Sequence, residues 1–176
     1  SSLGRLVVGG EVMGIDERHE GMPVGSGVYA PDFHYDIYAL FAEQKINWKD
    51  LTLLLGARFD QNNLRIKPND VFTNVTSGDK SFYNWSWRGG ATYWALDWLS
   101  LRTAVGTAFV SPRADKIVGR YTNAWGTEYR GNEALKPETS ITYEGGVDIE
   151  FDNFNSAATF FYSQYDDAIS QVTKTS

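Results

Sequence analysis

Between positions 143 and 163 the chain alternates twice, and that alternation limits the fold more than any other feature of the sequence. Tyr143, Gly145, Val147, Ile149 and Phe151 fall at one parity, and Glu144, Gly146, Asp148 and Glu150 at the other. Asp152-Asn153 interrupts the run. A second arm then sets Phe154, Ser156, Ala158, Phe160 and Tyr162 against Asn155, Ala157, Thr159, Phe161 and Ser163. Side chains on a strand point alternately to its two faces, so each set shares one face. The pattern predicts a β-hairpin with an aliphatic and aromatic face backed by a face rich in carboxylates. A soluble sheet with one wet face alternates in the same way. Arms of about ten residues, a tight turn at one end and a long loop at the other favour a transmembrane barrel.

The same organisation recurs upstream. Residues 3–15 set Leu6, Val8, Gly10 and Val12 against Val7, Gly9, Glu11 and Met13. Residues 35–48 carry Tyr38, Leu40, Ala42, Ile46 and Trp48 opposite Glu43, Lys45 and Asn47, and Lys49-Asp50 is a two-residue turn. Residues 51–65 oppose Leu51, Leu53, Leu55, Ala57 and Phe59 to Thr52, Gly56, Arg58 and Asp60, with Leu54 the exception on the polar side. Strands over 85–95 and 98–109 follow, joined by a short turn near Leu96-Asp97. Polar stretches at 16–34, 67–83 and 110–135 read as long loops, the second punctuated by Pro68-Asn69-Asp70 and Ser77-Gly78-Asp79. Every second connection is therefore long, as in bacterial outer-membrane barrels with short periplasmic turns and long outer loops. The expected class is all-β: an antiparallel up-and-down transmembrane β-barrel, with about seven strands in this chain and no helix of consequence.

Charge supplies an independent check. Glu11, Glu43, Arg58, Asp60, Arg88, Arg102, Glu144, Asp148 and Glu150 all fall on the non-aliphatic face. An Arg or Lys facing mid-bilayer lipid costs about 2–4 kcal/mol, so this face is expected to look into a water-filled or plugged lumen. Trp48, beside a turn, sits where an interfacial aromatic girdle belongs. The chain holds 10 Tyr, 10 Phe and 6 Trp, yet its mean hydropathy is only -0.36. No apolar run approaches the roughly 20 residues of a membrane helix, and a barrel escapes such a scan because only alternate residues face lipid. A net charge of -6 and the lack of a basic patch with interleaved aromatics argue against nucleic acid. The absence of cysteine excludes disulfides and thiolate metal sites.

Several motifs occur in a fixed order. Val105-Gly106-Thr107-Ala108-Phe109-Val110-Ser111-Pro112 precedes a variable stretch. Gly131-Asn132-Glu133-Ala134-Leu135-Lys136-Pro137-Glu138-Thr139-Ser140 comes next, followed by Tyr143-Glu144-Gly145-Gly146 and by Phe161-Tyr162 with Asp167 and Ile169. In this order they closely resemble the C-terminal half of the barrel of TonB-dependent outer-membrane receptors, and the resemblance extends back over nearly the whole chain. It implies part of an active transporter in the outer membrane of a Gram-negative bacterium, surrounded by lipid and lipopolysaccharide. The imported ligand would be a metal chelate such as a ferric siderophore or cobalamin. In such receptors a separate N-terminal plug fills a barrel of about 22 strands and couples to TonB. Neither a secretory signal nor a closing aromatic strand is legible, so residues 1–176 read as one partial barrel domain, an internal piece without its plug. The alternative is a small free-standing outer-membrane barrel of about eight strands with a structural or binding role, closed by a residual strand near residues 169–173.

No catalytic constellation emerges, and no enzyme is expected. His19 and His34 share a loop region with Asp16, Asp32 and Asp36, which could form a rim cluster, but solvated loop residues are the plainer reading. His19 with Asp16, Glu17 and Glu20 is a weak metal candidate, because adjacent loop charges rarely converge on one ion. No cofactor is expected. Haem receptors resembling this family carry a histidine between the Phe-x-x-Pro and Asn-x-x-Leu motifs, and residues 113–130 contain none. The third loop holds the ligand-contact candidates. Arg113, Lys116, Arg120, Tyr121, Trp125, Tyr129 and Arg130 mix cations with aromatics. Arginine pairs with carboxylate or catecholate oxygens, and aromatic rings stack on planar chelates.

Overall fold

A computed structural model describes residues 4–18, 32–67, 78–117, 120–122 and 128–169. Its strands are β1 (Arg5–Glu17), β2 (Asp32–Trp48), β3 (Leu51–Lys67), β4 (Gly78–Leu96), β5 (Leu99–Val110), β6 (Arg120–Thr122), β7 (Glu128–Arg130), β8 (Glu138–Phe151) and β9 (Phe154–Asp166), with one helical turn, α1 (Ala114–Ile117). Seven strands form one antiparallel sheet in the order β1-β2-β3-β4-β5-β8-β9, and β6 pairs with β7 in a separate ribbon. The sheet is open, with β1 and β9 at its edges. It does not close on itself as the eight-strand alternative requires, and most of the residual strand expected near 169–173 lies outside the described residues.

The short turns fall close to the expected positions. Lys49 takes φ 51 in the β2–β3 turn, a left-handed conformation suited to a two-residue hairpin loop. The β4–β5 turn sits at Asp97 and Trp98, one residue later than expected, beside a register shift between Trp94 and Leu96. At the loop ends the strands run further than expected. β1 ends at Glu17 rather than 15, β2 begins at Asp32 rather than 35, and β4 begins at Gly78 rather than 85. Ladder hydrogen bonds are made by backbone groups, so polar residues can extend a strand once it leaves lipid. Asp32 faces Lys67 across the β2–β3 ladder, and Arg65 faces Asp79 across the β3–β4 ladder.

Register assigns the faces. On the outer face of β3, Leu51, Leu53, Leu55, Ala57 and Phe59 give way to Gln61, Asn63, Arg65 and Lys67. Eight steps of about 3.4 Å at a tilt of about 40° span about 21 Å, close to the apolar band of about 25 Å on outer-membrane barrels. Aromatic residues mark both borders of the band. Near the loops, Phe59 lies 6.4 Å from Tyr83 and 5.1 Å from Trp85, centroid to centroid. Near the turns, Trp98 stacks on Phe151 at 5.1 Å, and Lys49 Nζ sits 5.9 Å from the Trp48 ring centroid. Between these borders the apolar side chains are bare: Val12 is 78% exposed and Phe160 79%. A soluble sheet would bury such a face under a second layer, whereas here lipid is the matching environment.

The inner face is tied by ion pairs that reach across strands. Arg58 of β3 meets Glu11 of β1 at 2.9 Å and Asp60 at 2.8 Å. Arg88 of β4 meets Glu43 of β2. Arg102 of β5 donates from Nη2 to Thr159 Oγ1 of β9 at 2.7 Å, and its Nε lies 2.9 Å from Asp148 Oδ2 as an ion pair rather than a hydrogen bond. Two of these arginines lie over glycines of the intervening strand. A Cβ on Gly56 would fall 3.1 Å from Arg88 Cγ, and one on Gly146 would fall 2.9 Å from Arg102 Nε.

Candidate functional site

The site is built where β5 ends. Below it, β4 and β5 pair from Leu96 and Leu99 up to Arg88 and Gly106. Above that point the two strands part, and Trp87 N donates to Thr107 Oγ1 at 3.0 Å instead of to a backbone carbonyl. Ser111 and Pro112 then end β5, since proline offers no N–H to the ladder. The chain turns inward across the lumen face of β2–β4. Tyr35 OH donates to Pro112 O at 2.8 Å, and Asn62 Nδ2 donates to Ser111 Oγ at 2.7 Å.

One helical turn follows, with Lys116 N and Ile117 N both donating to Arg113 O. It delivers Ile117, 1% exposed, into a cluster with Leu64, Ile66 and Phe82. Phe33 and Tyr35 flank the cluster, their rings edge to face at 5.4 Å. The returning chain is fastened as well. Asn132 N donates to Lys116 O at 2.8 Å, and Lys80 Nζ donates to Glu133 O at 2.6 Å. The Lys116–Asn132 bond clamps together the two ends of the segment that carries the β6–β7 ribbon.

In that ribbon Arg120 is in register with Arg130, and Tyr121 with Tyr129. Four of the sequence candidates thus gather at two adjacent register positions. Arg113 lies exposed at the foot of the same segment. Trp125 lies outside the described residues. Sequence reasoning treated residues 110–135 as loop and missed the ribbon, α1 and the docked root. A signal was present in the sequence. Phe33, Tyr35, Leu64, Ile66 and Phe82 are apolar residues at the inner parity just beyond the lipid band, where they continue the apolar run of Ile37, Ala39 and Phe41 on β2. Something apolar had to cover them.

At mid-height of the inner wall the described arginines carry carboxylate partners. A hollow of about 330 Å³ there is lined by Phe41, Glu43, Arg58, Ser86, Arg88 and Thr107. Its arginines are already matched by Glu11, Asp60 and Glu43, so an anionic ligand would compete with carboxylates for them.

His34, expected in a loop, lies on β2 and on the outer face. Its Nδ1 is 2.7 Å from Asp16 Oδ1, and its Nε2 is 3.0 Å from Asp36 Oδ1. With both ring nitrogens facing carboxylates the ring donates twice, which favours the imidazolium. The hydrogen bond to Asp16, then that to Asp36, raises the His34 pKa above its ordinary 6.5, and the same bond to His34 lowers that of Asp16 below 3.8. The cluster pins β1 to β2 above the lipid band and leaves His34 no lone pair for a metal. His19 and Glu20 lie outside the described residues. Among those described, no group of three or more His, Cys, Asp or Glu is disposed to hold an ion.

A pH dependence follows from the His34 cluster. A raised histidine pKa contributes stability that is complete below 6.5 and is lost as pH rises through the folded value. A lowered aspartate pKa contributes stability present above 3.8 and lost as pH falls through the folded value. Protection factors of the amides at the loop ends of β1 and β2, with the base-catalysed intrinsic rate divided out, are therefore expected to be largest between those limits and to fall as pH rises through the folded His34 value. His34→Gln should abolish that fall. The same fall in that variant would rule out the pin.

An inside-out antiparallel sheet, girdled by aromatics and with long connections at one end, defines the wall of an outer-membrane-type β-barrel. Residues 9–176 match the family model described as TonB dependent receptor-like, beta-barrel, and the chain belongs to that family. A TonB-dependent heme receptor A from Haemophilus ducreyi is 29% identical over 157 residues, covering 80% of this chain and 21% of the relative. The ferrienterobactin receptor of Escherichia coli K12 is 27% identical over 141 residues, covering 74% of this chain and 17% of the relative. The chain thus spans about a fifth of the length of the curated relatives it matches. Among solved structures, a double mutant of the Serratia marcescens hemophore receptor HasR, in complex with its hemophore HasA and heme, superposes with a TM-score of 0.69 at 18% identity, over 82% of this chain and 27% of that one. The copper transporter OprC gives 0.68 at 14% identity, over 92% and 28%. At these identities the two structures speak for the fold.

Proposed function

We propose that this chain is a section of the barrel wall of a TonB-dependent importer in a Gram-negative outer membrane, and that its third loop contacts the imported chelate at the outer mouth. The whole receptor would contribute a plug that engages TonB, and its outer face would meet lipid and lipopolysaccharide. The observation that carries this reading is the third loop, whose root, from Ser111 to Ile117, folds inward over the lumen face and whose ribbon pairs Arg120 with Arg130 and Tyr121 with Tyr129. It supports a transport role and not a catalytic one.

The ligand class we favour is a ferric siderophore. Its anionic oxygens suit paired arginines, and its planar groups suit tyrosines. Haem is the second reading, prompted by the relatives named as heme receptors. An axial histidine for haem would have to come from outside the described residues, because His34 is bonded at both nitrogens and faces outward.

The full-length receptor, restored to a deletion strain under iron limitation, should support growth on ferric enterobactin in preference to haemin, and only with TonB present. Arg120→Ala combined with Arg130→Ala is expected to remove about 1.5–3 kcal/mol of binding, roughly 10- to 150-fold in Kd for ferric enterobactin. Growth on haemin alone, or binding indifferent to both arginines, would sink the siderophore reading.

A further inference from the structure

We infer that Ile117 is a positioning residue: its burial against Leu64, Ile66 and Phe82 anchors the root of the segment that carries the β6–β7 ribbon. The inference goes beyond the loop's proposed ligand contact and rests on that reading only for its effect on affinity. The geometry supporting it is local and redundant. A three-residue ribbon cannot hold itself in place, because short isolated hairpins are marginal in water. Something outside the ribbon must therefore orient it.

The fastenings at the root of the loop meet that need. Pro112 and Ile117 are both buried. Tyr35 and Asn62 hold the descending chain, and Lys80 holds the returning one. Asn132 N on Lys116 O closes the frame immediately below the ribbon. Among the described residues, Tyr35, Asn62, Leu64, Ile66, Lys80 and Phe82 anchor the loop from β2, β3 and β4, although it springs from β5 and returns to β8. The segment therefore reaches across the parting of β4 and β5, and its hydrophobic end acts as the peg. Without the peg, the hydrogen bonds left are at the mouth, where water competes for each of them.

Pre-organisation gives this arrangement a functional consequence. A ligand that must first order its contact loop loses affinity in proportion to how seldom the competent arrangement is populated. Ile117 would thus act on the ligand through the ribbon without touching it.

Hydrogen exchange on the purified full-length receptor tests the anchor without any ligand. In Ile117→Asp, peptides covering residues 120–130 should exchange about tenfold faster or more, with wall peptides of β2 and β3 unchanged. Ile117→Leu should restore the wild-type rate. If Ile117→Asp does not fold, Tyr35→Phe, which removes the bond to Pro112, should quicken the same peptides about threefold. Unchanged ribbon exchange in the variant that folds would overturn the inference. Binding supplies the second readout. Ile117→Asp should raise the Kd for ferric enterobactin about tenfold, while the uptake rate at saturation stays within about twofold of wild type. A loosened ribbon with unchanged affinity would overturn the positioning role. A wild-type receptor that ignores ferric enterobactin would instead defeat the siderophore reading and leave the exchange comparison intact.

Discussion

Arginine in place of Leu55 is expected to destabilise the barrel by about 2–4 kcal/mol, while arginine in place of Ala104 changes its stability by less than about 1 kcal/mol. The two sites lie two strands apart within the same band. Leu55 faces Gly89 in register, and Gly89 faces Val105, the neighbour of Ala104. They differ in face. Leu55 is 52% exposed on the side that carries Leu51, Leu53, Ala57 and Phe59. Ala104 stands on the charged side, directly across the ladder from Glu144. A guanidinium at position 55 would have to snorkel about half the thickness of the lipid band to reach water. One at position 104 would find solvent and a carboxylate. Urea unfolding of the full-length receptor in phospholipid vesicles, followed by tryptophan fluorescence, measures both losses. Equal losses at the two sites, or a larger one at Ala104, would mean that the apolar side does not face lipid.

That contrast was legible in the sequence because it depends on parity alone. Lipid tolerates only apolar side chains along the band, so the alternation of β3 and β8 had to be strict there, and the charges on the other parity marked the lumen. Leu54 breaks the pattern without penalty because it sits on the inner parity, opposite Lys45, where a lumen accepts either kind of side chain. Outside the band this discipline ends. Asp32, His34, Gly78 and Lys80 stand in strands although nothing in their polarity announces it, since the ladder needs only backbone groups. The inward fold of the third loop was legible in part: the apolar inner residues at positions 33, 35, 64, 66 and 82 require a cover. That Ile117 provides it depends on the path of a variable loop, which no periodicity encodes. The candidate residues of the loop were chosen by chemistry, and the β6–β7 register sets four of them in two facing pairs, Arg120 with Arg130 and Tyr121 with Tyr129. The placement of Trp125 falls outside the described residues.

Gly146→Val is expected to cost about 1–3 kcal/mol by overpacking, and Gly145→Val no more than about 0.5 kcal/mol in either direction. The glycines are adjacent and differ in what stands over them. Gly145 faces outward, and a Cβ there would meet nothing within 4 Å. Gly146 faces the lumen beneath Arg102. A Cβ there would lie 2.9 Å from Arg102 Nε and 3.0 Å from the carbonyl oxygen of Ala158. The guanidinium can swing away, though only by giving up Asp148 and Thr159. The Ala158 oxygen belongs to the β8–β9 ladder and cannot move without bending β9. The two contributions separate in a double-mutant cycle with Arg102→Ala. If the arginine accounts for part of the penalty, Gly146→Val will cost less in the Arg102→Ala background, with a coupling of about 0.5–3 kcal/mol. What remains is the clash with the strand itself. Equal penalties at positions 145 and 146 would show that glycine serves β8 through backbone freedom alone, and that no arginine needs the space above it.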